Sequence, residues 1–143
     1  FGRADLIDGF GRAVRYFNTF GGNPVSAAAG LAVLDVIEDE ALQANARDTG
    51  RLLRDGLRAL ATRHEALGAV RGAGLFLGLD IRADGQPSGA RAASIVNALR
   101  RRGVLLGATG PAGATLKIRP PLVFGPAEAG EFLETLDAVL TGG

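Results

Sequence analysis

The chain has 143 residues, enough for one ordinary domain with a real hydrophobic core, and its 47% hydrophobic and 22% charged residues fit a folded protein. It has no cysteine and one histidine, His64, which removes disulfides, thiolate metal sites and histidine clusters from consideration. Sixteen basic against fifteen acidic side chains leave a net charge of +1, so no overall field draws it to nucleic acid or to a membrane surface.

No stretch reaches the roughly 20 apolar residues of a membrane span, and the start, Phe1 to Asp5, lacks the organisation of a signal peptide. A cytoplasmic location is therefore expected. Methionine is missing even at position 1, and Lys117 is the only lysine. That pattern suggests a segment of a longer protein, from a lineage drifting toward Ala, Gly and Arg.

In chain order, Leu6, Ile7 and Phe10 predict a short helix, followed by an extended run to Asn18. Gly21-Gly22-Asn23-Pro24 predicts a turn and then a helix, because Asn23 can cap with its side-chain oxygen and Pro24 suits the first helical position. From Val25 to Ile37 the residues are small or apolar on nearly every side, the pattern of a helix packed closely by neighbours. Such a helix wants more protein around it.

A second helical pattern runs from Ala41 to about Leu67, with Leu42, Ala46, Leu53, Leu57 and Leu60 on one face. Val70 to Ile81 predicts a strand broken by glycines, and Asp84-Gly85-Gln86-Pro87 a turn that ends it. Ala90 to Arg102 predicts a helix, with Gly103 in the usual C-terminal cap position. Val104 to Leu106 and Thr115 to Ile118 predict a short hairpin, and Gly125-Pro126 the start of a final helix that carries Glu128 and Glu131 near its positive end. The order implies a small α/β layer of the α+β kind, with a short, mostly antiparallel sheet covered on one face by helices.

Gly72-Ala-Gly74-Leu-Phe-Leu-Gly78 is not a dinucleotide loop, because its third glycine comes one position late and the segment lies within a strand pattern. These glycines instead suit a bulge or a close backbone approach. Arg100-Arg101-Arg102 closes a helix, where cations favour the dipole, and no aromatic residues interleave as a nucleic-acid surface would want. His64 beside Glu65 is expected to be solvent-exposed, and no nucleophile motif surrounds any serine. The segment Tyr16 to Pro24 carries more chemistry. It combines a hydroxyl at Thr19, backbone amides freed by Gly21 and Gly22, and a helix start, all suited to phosphate oxygens.

Tyr16-Phe-Asn-Thr-Phe-Gly-Gly-Asn-Pro24 followed by Ala28 to Ile37 closely resembles the class III aminotransferase pattern. Val70-Arg-Gly-Ala-Gly-Leu75 resembles that family's strand entering its C-terminal domain, and Leu116-Lys-Ile-Arg-Pro-Pro-Leu122 its closing strand. The resemblance implies a type I fold homodimer using pyridoxal 5'-phosphate. Residues 1–40 would end the large cofactor-binding domain with its connecting helix, and 41–143 would form the C-terminal small domain. Thr19, with Phe20 and Gly21, would contact the phosphate of a cofactor bound mainly by the other subunit. The family's Schiff-base lysine lies upstream of the residue matching Thr19, so this chain would contain no catalytic lysine and be inactive alone.

Many members of the family carry an arginine where Lys117 stands and use it for a substrate carboxylate. Lysine is a flexible point charge, whereas arginine presents a planar fork. Together with Arg119, Lys117 is a candidate substrate-binding residue. The segments Tyr16 to Ile37 and Lys117-Ile-Arg119-Pro-Pro are similar to the branch holding ethanolamine-phosphate phospho-lyase and alanine–glyoxylate aminotransferase homologues. Three functions are therefore open: amino-group transfer between an amine or amino acid and an oxo acid, phosphate elimination from an amino-alcohol phosphate, and a non-catalytic interaction or regulatory domain.

Overall fold

Between Asn23 and Pro24 the chain turns into a helix as its sequence predicts. In the computed structural model, which describes residues 3–142, Asn23 Oδ1 accepts from the Ser26 N–H at 2.9 Å. Phe1, Gly2 and Gly143 lie outside the described residues. The chain divides into two units, Phe1–Val36 and Ile37–Gly143.

The first unit holds helix α1 (Ala4–Ala13) and most of helix α2 (Pro24–Asp39). Neither helix has a buried residue. Leu6, Ile7 and Phe10 lie exposed on α1, and Val25, Leu31, Val33, Leu34 and Val36 on α2. The sequence of α2 is that of a helix packed on several sides, and in this chain those sides face solvent.

The second unit is an α/β layer. Helix α3 (Leu42–Arg63) leads into the hairpin of β1 (Leu67–Ala73) and β2 (Phe76–Ala83). The two-residue β3 (Gln86–Pro87), helix α4 (Gly89–Arg101), β4 (Gly107–Thr109), β5 (Thr115–Ile118) and helix α5 (Pro126–Thr141) follow. The sheet runs β1-β2-β5-β4, with β3 paired to β2, and every pairing is antiparallel. Alternation decides which side is covered. Leu77, Leu79 and Ile81 of β2 and Leu116 and Ile118 of β5 point into the core. There they meet Leu53, Leu57 and Leu60 of α3, Ile95 and Leu99 of α4, and Phe132 and Leu136 of α5.

Three expectations shift. The helix expected to reach Leu67 ends at Arg63, where the His64 N–H still bonds Leu60 O, and Leu67 is already paired with Ile81 in the sheet. The single strand expected over 70–81 is two strands joined at Gly74, which turns with φ +53. A hairpin does close at β4 and β5, but its first strand is Gly107–Thr109 and not 104–106. The cause is helical. Gly103 adopts φ +86, and the Val104 N–H bonds Leu99 O, so Val104 still belongs to the C-terminal wrap of α4.

Contact between α3 and the hairpin is close enough to require glycine: a Cβ on Gly50 would stand 2.3 Å from Gly74 O. That fixes the hairpin tip against the helix. Asn45 adds a tie, its side-chain amide donating to Leu122 O (2.7 Å) and Phe124 O (3.0 Å), which holds the segment after β5 onto α3.

Candidate functional site

In the first unit, Tyr16 to Asn23 folds around Asn18. Asn18 Oδ1 accepts from the N–H groups of Phe20 (3.1 Å) and Gly21 (3.0 Å), and its Nδ2 donates to the Tyr16 hydroxyl (3.1 Å). Gly21 lies so near that a Cβ there would stand 2.9 Å from Asn18 Nδ2. Asn23 Nδ2 donates to Phe20 O at 2.6 Å, tying the turn to the cap of α2. The result is a tight, locally satisfied turn at a helix start.

This arrangement corrects one expectation. The Gly21 amide is not free for an anion, because Asn18 already occupies it. Among the described residues, the Thr19 hydroxyl and the Gly22 N–H take no intramolecular hydrogen bond, and Gly22 has φ +72. A hydroxyl and one amide at the mouth of a helix fit a phosphate oxygen in chemistry and charge. Asn18 is the residue that sequence reasoning missed; its signal was its place two residues before Phe20, the usual spacing of a side-chain turn.

Lys117 and Arg119 belong to the second unit, at the end of β5. Alternation turns Leu116 and Ile118 inward and leaves Lys117 and Arg119 exposed. Lys117 pairs with Gly78 on one side and Gly107 on the other, so no neighbouring side chain stands directly across from it on either strand. The Arg119 guanidinium lies 5.9 Å from the centre of the Phe76 ring, a cation–π arrangement. Both cations line an open depression of about 520 Å³, whose other walls include Leu105, Phe124 and Glu131. The structure thus brings Lys117 and Arg119 to one surface, while Thr19, Phe20 and Gly21 lie in the other unit.

Two ionic clusters were not foreseen. On the open face of the sheet, Arg71 forks onto Asp80, with its Nη2 2.6 Å from Oδ1, and the Thr115 hydroxyl donates to the same carboxylate at 2.8 Å. The hydrogen bond from Arg71, above all, holds the Asp80 carboxyl below its ordinary value; burial opposes this and Thr115 adds to it. His64, expected at the surface, is instead largely covered: its ring Nε2 lies 2.5 Å from Asp137 Oδ1, and Arg63 donates to Oδ2 at 3.0 Å. This cluster joins the end of α3 to α5, and the hydrogen bond with His64 is the main cause of a lowered Asp137 pKa. The charged neighbours in sequence pointed outward; the partner was 73 residues away.

Among the described residues, no group of His, Asp or Glu side chains could hold a metal ion, and no helix is long and apolar enough to cross a membrane.

Comparison with known proteins gives consistent relatives. The family model described as aminotransferase class-III matches residues 5–140. An ethanolamine-phosphate phospho-lyase homolog of Caenorhabditis elegans is 42% identical over 97% of this chain and 31% of its own length. A mitochondrial alanine–glyoxylate aminotransferase 2 homolog of Arabidopsis thaliana is 45% identical over 85% of the chain and 26% of its own. Among solved structures, a phospholyase from Arthrobacter in complex with phosphoethanolamine superposes with a TM-score of 0.89 at 44% identity, over 98% of this chain and 34% of that one. The chain spans about a third or less of these relatives.

Proposed function

Because the chain belongs to the class III aminotransferase family, we propose that it works as the C-terminal part of a pyridoxal-phosphate enzyme that moves an amino group between an amine or amino acid and an oxo acid. Residues 1–40 close the large cofactor-binding domain, and 41–143 form the small domain. The observation that carries this reading is the turn at Thr19: a free hydroxyl beside the left-handed Gly22, set by Asn18 at the capped start of α2.

Bound pyridoxal phosphate supplies an electron sink for negative charge at the amino-bearing carbon of the substrate. This chain's part is to bind and orient. Thr19 Oγ1 donates a hydrogen bond to a phosphate oxygen of the cofactor held mainly by the other subunit of a cytoplasmic homodimer. Phe20 and Gly21 keep Thr19 in place, since both their amides are tied to Asn18. Lys117 and Arg119 present positive charge to an anionic group of the substrate. The lysine that links the cofactor lies upstream, and the segment alone is inactive.

A second reading has its own support. By the family resemblance, Lys117 replaces an arginine that holds a substrate carboxylate, and a compact ammonium suits a phosphate as well as a carboxylate. The phospho-lyase homolog and the phospholyase are 42% and 44% identical to this chain over 97% and 98% of it. Steady-state assays of the complete enzyme separate the two. Consumption of an oxo acid with amino-acid donors, without phosphate release from phosphoethanolamine, supports transamination. Phosphate release without amino transfer makes the enzyme a phospho-lyase and overturns the first reading.

A further inference from the structure

Between α3 and the tip of the β1–β2 hairpin lies a concavity of about 440 Å³ that neither the Thr19 turn nor the Lys117 depression uses. Arg47, Arg51 and Arg54 line it, at helical spacing that puts them on one face of α3, together with Gln43, Gly74 and Leu122. No carboxylate is among its lining residues. Asp48 and Asp55 stand beside it on the helix. Asp48 lies 2.9 Å from Arg51 and 3.7 Å from Arg47, and Asp55 lies 3.8 Å from Arg54 and 3.6 Å from Arg58.

Arg54 differs from its two neighbours. Its side chain is only 33% exposed, against 67% for Arg47 and 58% for Arg51. Its Nε is buried 3.8 Å from Asp55 Oδ1, too far for a hydrogen bond, and has no hydrogen-bond partner among the described residues. A guanidinium partly removed from water, whose donors its one neighbouring carboxylate does not saturate, attracts an anion more strongly than a solvated one. The floor is closely packed, because the absence of a Cβ at Gly50 lets the Gly74 backbone rest directly on the helix.

We propose that this pocket is an anion site for a phosphate group, sharing no lining residue with the depression that holds both Lys117 and Arg119. Three guanidiniums offer more donors than the two oxygens of one carboxylate can accept, whereas a phosphate presents three oxygens and a charge near −2. The group arrives either as free phosphate or as a phosphate ester. All its lining residues lie in the second unit, so the site stands whether or not the proposed reaction is right.

The test is a titration of the 143-residue chain with inorganic phosphate and, separately, glycerol 2-phosphate, followed through the arginine Nε–Hε signals by NMR. The Arg54 and Arg51 signals should move saturably with both probes, the tighter probe identifying the source of the group. Arg51→Glu, at an exposed position, should weaken binding about ten- to a hundredfold, as should Arg54→Gln if circular dichroism shows it folded. Arg100→Ala with Arg101→Ala, on α4, should leave binding unchanged. Absence of saturable shifts, unchanged binding in Arg51→Glu, or an equal loss in the α4 variant would overturn the proposal.

Discussion

Thr19 and Gly50 are small residues whose roles differ in kind. Thr19 contributes a donor that the fold leaves unused, so its replacement should spare folding and reach only the cofactor. In the complete enzyme, Thr19→Val should weaken pyridoxal phosphate binding about ten- to a hundredfold, the loss of one hydrogen bond to a charged acceptor. A fluorescence titration measures this, and an unchanged affinity would remove Thr19 from the site. Gly50 is structural. Gly50→Ala drives a Cβ to 2.3 Å from Gly74 O and should cost about 1–3 kcal/mol or more in a urea melt. Gly130→Ala on α5, where no atom lies within 4 Å of the added Cβ, should instead stabilise by about 0.5–1 kcal/mol.

Among residues whose partners are close in sequence, Asn23 was legible as the cap of α2 and Glu128 as a carboxylate at the positive end of α5. Asn18, and Ser88, which accepts from the Arg91 N–H, were not, because their turns carry no apolar spacing to announce them. His64 was not legible, because its environment is made by Asp137 on a distant helix. Likewise, Lys117 and Arg119 were named from the family resemblance, but the depression they share is built by segments on α5 and after α4.

At the scale of elements, helices were read more accurately than strands. Apolar spacing placed α3, α4 and α5, and erred on α3 only where Leu67, seven positions after Leu60, continues the helical pattern while serving the sheet. Strands failed where glycine carried two meanings. In 70–81 the glycines mark a hairpin turn, and at 103–107 the helix wrap postpones the strand until Gly107 can pair with Lys117.

The open face of that sheet is also where acid should act. Asp80 is held below its ordinary pKa of 3.8, chiefly by Arg71. A carboxylate lowered in the folded state adds stability above its unfolded pKa, and that contribution is lost as pH falls through the lower folded value. Stability measured by urea melts should therefore drop from about pH 4 downward, and Asp80→Asn should flatten this drop while lowering stability at neutral pH. An acid profile identical in the variant would show that the Arg71–Asp80–Thr115 cluster does not couple to folding.

At the scale of the molecule, the two units differ in what they bury. The second has a continuous core, whereas α1 and α2 bury nothing and display a run of large apolar side chains. Exposed apolar surface of this kind drives association. The chain alone should self-associate in sedimentation velocity, and Leu31→Glu with Leu34→Glu should shift it toward monomer; a monomeric parent chain would contradict this.

In the proposed enzyme, this chain supplies a phosphate contact and substrate cations but not the lysine that holds the cofactor. Lys117 is the only lysine, so borohydride reduction with near-stoichiometric pyridoxal phosphate, read by peptide mass spectrometry, tests this directly. No substantial pyridoxyl group should form on Lys117. Near-complete labelling of Lys117 would contradict this and make this chain the site of the chemistry.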